Sequence, residues 1–151
     1  TYKYRKELIG ETKMATVAEA LSELKITEWV LRGEPTKESE FHEMFRKVTG
    51  ATADNTAIES ADPTKFGVTW KQVSDKMTAI DAAAPMKELR RQRDVKLAET
   101  DWTALADVTM ADNMKTYRQA LRDLPASDDG KDASLASDGS LENVKWPQKP
   151  A

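Results

Sequence analysis

Apolar residues return at helical spacing in several stretches of this chain. Between Thr16 and Leu24, Val17, Ala20, Leu21 and Leu24 share one narrow face, which predicts a short amphipathic helix. Ile26 to Leu31 is a β-favouring run closed by Gly33 and Pro35, and reads as a strand or extended segment entering a turn. Thr36 then stands at an N-cap position, with Glu38 and Glu40 facing the positive helix end. Phe41, Met44, Phe45 and Val48 form the expected buried stripe of a second helix, which Gly50 stops. Ahead of all these, Tyr2 to Ile9 mixes aromatic and basic residues and reads as a short strand or an ordered arm.

Ala51 to Thr64 is polar and rich in Thr and Ala, so a loop or linker is expected there. Thr69 and Gln72 have the spacing of a capping box, and Val68 can staple onto Val73, so a helix starts at Trp70 with Val73, Met77 and Ile80 on one face. Pro85 either kinks that helix or opens a new one, in which Met86, Leu89 and Leu97 form the stripe. A further helix is expected from Met110 to Leu124. Thr109 and Asp112 would cap it, Met110, Met114, Tyr117, Leu121 and Leu124 would line its buried side, and Pro125 would end it. Trp102, Leu105 and Val108 would plug the gap between the two helices.

After Pro125 the residues are mainly Ser, Asp, Gly and Ala. A segment of this kind buries too little apolar surface to offset its conformational entropy. Either it packs back on the chain through Val144 and Trp146, or neighbouring subunits hold it. The few contacts that one small chain offers favour neighbours. The predicted fold is mainly α, with α+β possible. A small module of short helices and one or two short strands (residues 1–65) precedes a helical hairpin (66–125) and an acidic extended tail (126–151) that ends in a Trp-Pro element.

Composition narrows the function classes. The 151 residues are 39% apolar and 32% charged, and no apolar run approaches the roughly 20 residues of a bilayer span. The first residues lack the apolar core of a signal peptide, so a soluble protein without a membrane partner is expected. There is no cysteine, which removes disulfides, thiolate metal sites and thiol catalysis, and a net charge of −3 gives no overall attraction to nucleic acid.

The basic run Lys87, Arg90, Arg91, Arg93 and Lys96 contains Glu88 and Asp94 as compensation. Asp101-Trp102-Thr103 follows, then Asp107, then Tyr117-Arg118-Gln119 with Leu121-Arg122, and finally Trp146-Pro147-Gln148-Lys149-Pro150. Order and spacing over about residues 86–150 resemble the C-terminal signature of phage tail assembly chaperone and tail-fibre assembly proteins. Met114 stands where a second Trp is common in that family, and the linker before Trp146 is longer and more acidic.

The resemblance implies a non-enzymatic role in a phage tail, with other tail proteins and copies of the chain itself as partners, in the virion or in the host cytoplasm during assembly. A resident tail, baseplate or fibre-attachment subunit is the preferred reading, because neighbouring subunits would order the tail. A chaperone absent from the mature particle is the alternative. A small nucleic-acid-binding protein acting through residues 87–96 is a second alternative, though no recognition motif accompanies the basic run.

Charge pairs between Asp101 or Asp107 and Arg90, Arg93, Arg118 or Arg122 could pin the loop to the helices through bidentate contacts, or these could be solvated surface charges. Trp102 and Tyr117 are expected in the core. Trp146, with Val144, Pro147 and Pro150, either anchors the chain in a partner or packs on its own hairpin, and Arg90 and Arg93 are further partner-binding candidates. His42 is the sole histidine, and Glu38 four residues before it could supply a second metal ligand. No second pair is visible, and neither a metal, nor a cofactor, nor catalytic residues are expected.

Overall fold

The fold is taken from a computed structural model that describes residues 14–150; the Tyr2–Ile9 segment lies outside them. Thr16 opens helix α1 (Val17–Glu23) with a reciprocal cap. Its hydroxyl accepts from the Glu19 amide at 3.2 Å, and the Glu19 carboxylate accepts from the Thr16 amide at 2.8 Å. This satisfies two helix-end donors and leaves Val17, Ala20 and Leu21 on the buried side, as their spacing predicts.

The next helix differs from its expectation at both ends. Helix α2 runs from Glu38 to Met44, with Lys37 at the N-cap and no side-chain cap bond. Thr36 lies one residue outside and donates its amide and its hydroxyl to the Glu40 carboxylate, each at 2.9 Å. The Thr36 amide is the main reason that Glu40 ionises more readily than an ordinary glutamate.

At the other end, the expected continuation through Val48 is a strand. Strand β1 (Trp29–Leu31) pairs antiparallel with β2 (Phe45–Ala51), which pairs antiparallel with β3 (Ala57–Ser60), so the sheet order is β1-β2-β3. As the central strand, Phe45–Ala51 has backbone partners on both sides, and that pairing overrides the helical period of Phe41, Met44, Phe45 and Val48. Gly50 therefore ends no helix; it sits at the register shift of β2. The expected linker holds β3 and a closed turn, where the Thr52 amide donates to the Thr56 carbonyl at 2.9 Å.

An aromatic core forms beside this sheet. Phe41, Phe45 and Phe66 are fully buried, with centroids 4.9 Å apart for Phe41 and Phe45 and 4.7 Å apart for Phe45 and Phe66. Trp70 adds a ring 5.6 Å from Phe41, and Val17, Ala20, Leu21, Val68 and Val73 complete the cluster.

Helix α3 (Trp70–Ala98) starts at the expected capping box, with the Thr69 amide 2.9 Å from the Gln72 side-chain oxygen and the Gln72 amide 3.2 Å from the Thr69 hydroxyl. It is one helix with Pro85 inside it, where proline removes the donor that the Asp81 carbonyl would have used. The chain divides into two compact units at residues 82 and 83, within that proline-bearing stretch. The sequence suggested a division near residue 65. The first unit's core spans that position, because Phe66, Val68 and Val73 cluster with Phe41 and Phe45.

In the second unit, helix α4 (Asp112–Asp123) follows a loop with a short 3-10 turn at Asp101–Ala104. The expected Thr109 and Asp112 cap does not form: Ala111 is the N-cap, and Asp112 is in the first turn, favourable to the helix dipole, with its carboxylate 2.8 Å from the Lys115 ammonium. Tyr117, Leu121 and Leu124 are buried along one side of α4, as their spacing predicts, and Leu89 is the buried residue of this half of α3.

The expected extended tail is folded instead. A second two-stranded sheet joins β4 (Ser134–Leu135) to β5 (Leu141–Glu142) through a turn at Gly139, whose φ of +81° suits glycine. Gly130 packs so closely on the preceding turn that a Cβ would lie 2.3 Å from the Leu124 carbonyl oxygen. The Lys145 amide donates to the Asp129 carbonyl at 2.8 Å. With four α-helices and two small antiparallel sheets among the described residues, the fold is α+β rather than mainly α.

Candidate functional site

The second unit is organised around a buried cation. Arg118 projects from α4, and its Nη1 donates to the Leu97 carbonyl at 2.9 Å and to the Thr100 hydroxyl at 2.6 Å. Its Nη2 donates to Asp101 Oδ1 at 2.7 Å. Leu97 is near the C-terminal end of α3, where a cation is favoured, and its carbonyl also accepts from the Thr100 amide at 3.0 Å. The expected link between Asp101 and an arginine is present, but it is not two-pronged: one guanidinium nitrogen takes the carboxylate, and the other takes the helix end and a threonine. Arg118 Nε is buried and has no partner among the described residues.

This network turns the following loop inside out relative to the usual order. Thr100 and Thr103 are buried, and the Thr103 hydroxyl donates to the Thr100 carbonyl at 2.6 Å. Trp102 and Leu105 are 61% and 56% exposed, so neither plugs the gap between the helices, and Val108 is half-buried. The period of a 3-10 turn explains the reversal. Residues three apart align, so burying Thr100, which meets Arg118, and Thr103, which bonds to the Thr100 carbonyl, carries Trp102 and Leu105 to another side. The interior of this turn needs hydroxyls more than apolar bulk, because a buried guanidinium requires acceptors. The Thr100 and Thr103 spacing around Asp101-Trp102 was the available sequence signal for the pair.

The other expected site residues fall into three settings. Tyr117 is buried, as expected. Asp107, Arg90 and Arg122 are exposed, and among the described residues none has an ion-pair partner. Arg93 pairs with its neighbour Asp94 at 2.7 Å. In the same basic run, Arg91 grips Glu88 through Nε at 2.8 Å and Nη2 at 2.7 Å. The Arg91 guanidinium, and after it the Gln92 amide, hold the Glu88 carboxyl at about 2, below the usual carboxylate range.

Trp146 packs on its own unit. The Lys96 ammonium lies 5.0 Å from the centroid of its ring, and Lys149 pairs with Glu99 at 3.5 Å. Val144, Pro147 and Pro150 beside it are half-buried. Lys96 is thus the residue whose role the sequence hid, since its partner is fifty positions away.

In the first unit, His42 stands beside the rings of Phe41 and Phe66, and no cluster of three metal-ligating side chains occurs among the described residues. No described helix is long and apolar enough to cross a membrane.

No curated protein and no solved structure matches the chain. Residues 86–151, which hold the Arg118 network, the outward-facing Trp102 loop and the folded tail, match the family model described as phage tail assembly chaperone protein, the family that their motifs resemble.

Proposed function

We propose that this chain is a non-enzymatic tail assembly chaperone: it binds another phage tail protein during assembly in the host cytoplasm and is absent from the finished particle. The observation that carries this reading is the family match over residues 86–151. The preference for a resident subunit rested on neighbours being needed to order the acidic tail. The tail instead makes its contacts within its own unit, through Lys145, Trp146 and Lys149, so that ground falls away.

Protein contact suits the geometry better than nucleic-acid contact. Within the basic run, Arg91, Arg93 and Lys96 are engaged by Glu88, Asp94 and Trp146, which leaves Lys87 and Arg90 as the cations best placed for phosphates. Affinity for a polyanion grows with the number of phosphates neutralised, and two cations give little.

The test is a quantitative protein inventory of purified particles beside the infected-cell lysate. Abundance in the lysate with absence from particles supports the chaperone. Stoichiometric presence in particles overturns it and makes the chain a resident tail subunit.

A further inference from the structure

Two surfaces of the second unit expose apolar side chains within opposite charge. The first is the loop after α3, where Trp102 and Leu105 face solvent. From Asp101 to Ala111 this loop contains no cation and two carboxylates, of which Asp101 is tied to Arg118 and Asp107 has no ion-pair partner among the described residues. The second is the outer face of α3, where Lys87, Arg90, Arg91, Asp94 and Val95 are all exposed, Val95 at 51%. Within it Arg91 is taken by Glu88, while Lys87 and Arg90 pair with no carboxylate among the described residues. The first surface is apolar beside the free carboxylate of Asp107; the second is a basic face that surrounds the single apolar side chain of Val95.

The acidic surface is also held in shape before any partner arrives. Arg118 ties Thr100, Asp101 and the end of α3 together, and the Thr103 hydroxyl closes the turn from inside. A flexible loop could turn a tryptophan inward, but this one has its inner positions filled by threonines. A rigid, outward tryptophan beside a leucine is the composition of an interface centre, and its fixed presentation lowers the entropy cost of docking.

We propose that the occupant of the Trp102 loop is a second copy of this chain, which presents the Lys87, Arg90 and Val95 face of its α3. Because each copy carries both surfaces, the contact is made twice across a two-fold axis, the loop of each chain meeting the helix of the other. The apolar patches are small, so the pair is weak, forms with rising concentration and loosens with salt, as expected where charge complementarity sets partner choice. The inference is independent of whether the chain remains in the particle.

Sedimentation of the purified chain over a concentration series at low salt tests it. The expected result is a shift from monomer to dimer mass that recedes in high salt. Trp102→Ala should abolish the shift while leaving the melting temperature unchanged, because the ring is largely exposed. Asp107→Lys and the pair Lys87→Glu with Arg90→Glu should each abolish it alone, and an equimolar mixture of those two variants should recover it, since both contacts are then again between opposite charges. Monomer mass throughout overturns the proposal. So does a dimer indifferent to Trp102→Ala, or a mixture that fails to recover.

Discussion

The two units are held together by different physics. In residues 14–82, three phenylalanines and a tryptophan gather around α1, α2, β2 and the start of α3, and the core is apolar throughout. In residues 83–150 the apolar contribution is thinner, and the centre is an arginine that bonds to a helix end, a threonine and an aspartate. Apolar packing is non-directional and responds to volume; a buried hydrogen-bonded cation is directional and responds to geometry. The family match falls on the second kind of unit. That is consistent with a loop whose orientation matters more than its bulk.

The largest expected effect is on the packed unit. Phe45→Ala empties a fully buried site between two rings and should cost about 3–5 kcal/mol in urea unfolding. A loss below about 1 kcal/mol would mean that the aromatic cluster is not the core of that unit.

Arg118→Met sharpens the contrast from the other side. It keeps the apolar stem but takes the donor from the Thr100 hydroxyl and one of several donors from the Leu97 carbonyl, which keeps the Thr100 amide, and should cost about 1–3 kcal/mol. Asp101 adds little, since its carboxylate stays in water. Amide hydrogen exchange should accelerate in residues 100–108 while β1, β2 and β3 keep their protection. Arg118→Lys should recover only part of the loss, because a point charge cannot reproduce the planar fork. Equal protection of the loop in all three proteins would defeat the polar account.

Trp146→Ala removes a half-buried ring and its contact with Lys96, for a cost of about 1–2 kcal/mol. The isolated chain should then melt a few degrees lower. An unchanged melting temperature would return Trp146 to the role of an anchor for other proteins.

The smallest effect concerns acid. The Glu88 carboxyl is held at about 2 against an ordinary value of 4.5, so it binds a proton less readily folded than unfolded. Its contribution to stability is present above pH 4.5 and is lost as pH falls toward 2. Glu88→Gln should remove this part of the acid dependence, and a chemical-shift titration of Glu88 with a midpoint near 4.5 would refute the Arg91 grip.

How much was legible depended on how far each interaction reaches along the chain. The cap at Thr69 closes within three residues, and the stripe of α4 repeats within one helix, so both could be read directly. The strand at Phe45–Ala51 could not, because its identity comes from β1 on one side and β3 on the other. A helical stripe and a strand core can share the same phenylalanines. Trp102 misled for another reason: large apolar residues are usually inside, and only the three acceptors of Arg118, on the loop and on the end of α3, reserve the interior of that turn for threonine.

The sequence by itself determined the starts of α1 and α3, the apolar face of α4, the absence of cysteine chemistry and the likeness of the C-terminal part to a phage tail family, since these reside in local spacing and residue identity. Tertiary structure alone decided that Phe45–Ala51 is a strand, that Trp102 faces outward and that the acidic tail folds back under Lys96 and Trp146. Each of those outcomes is settled by a partner distant in the chain, and the free energy of such a contact appears only when both sides are in place.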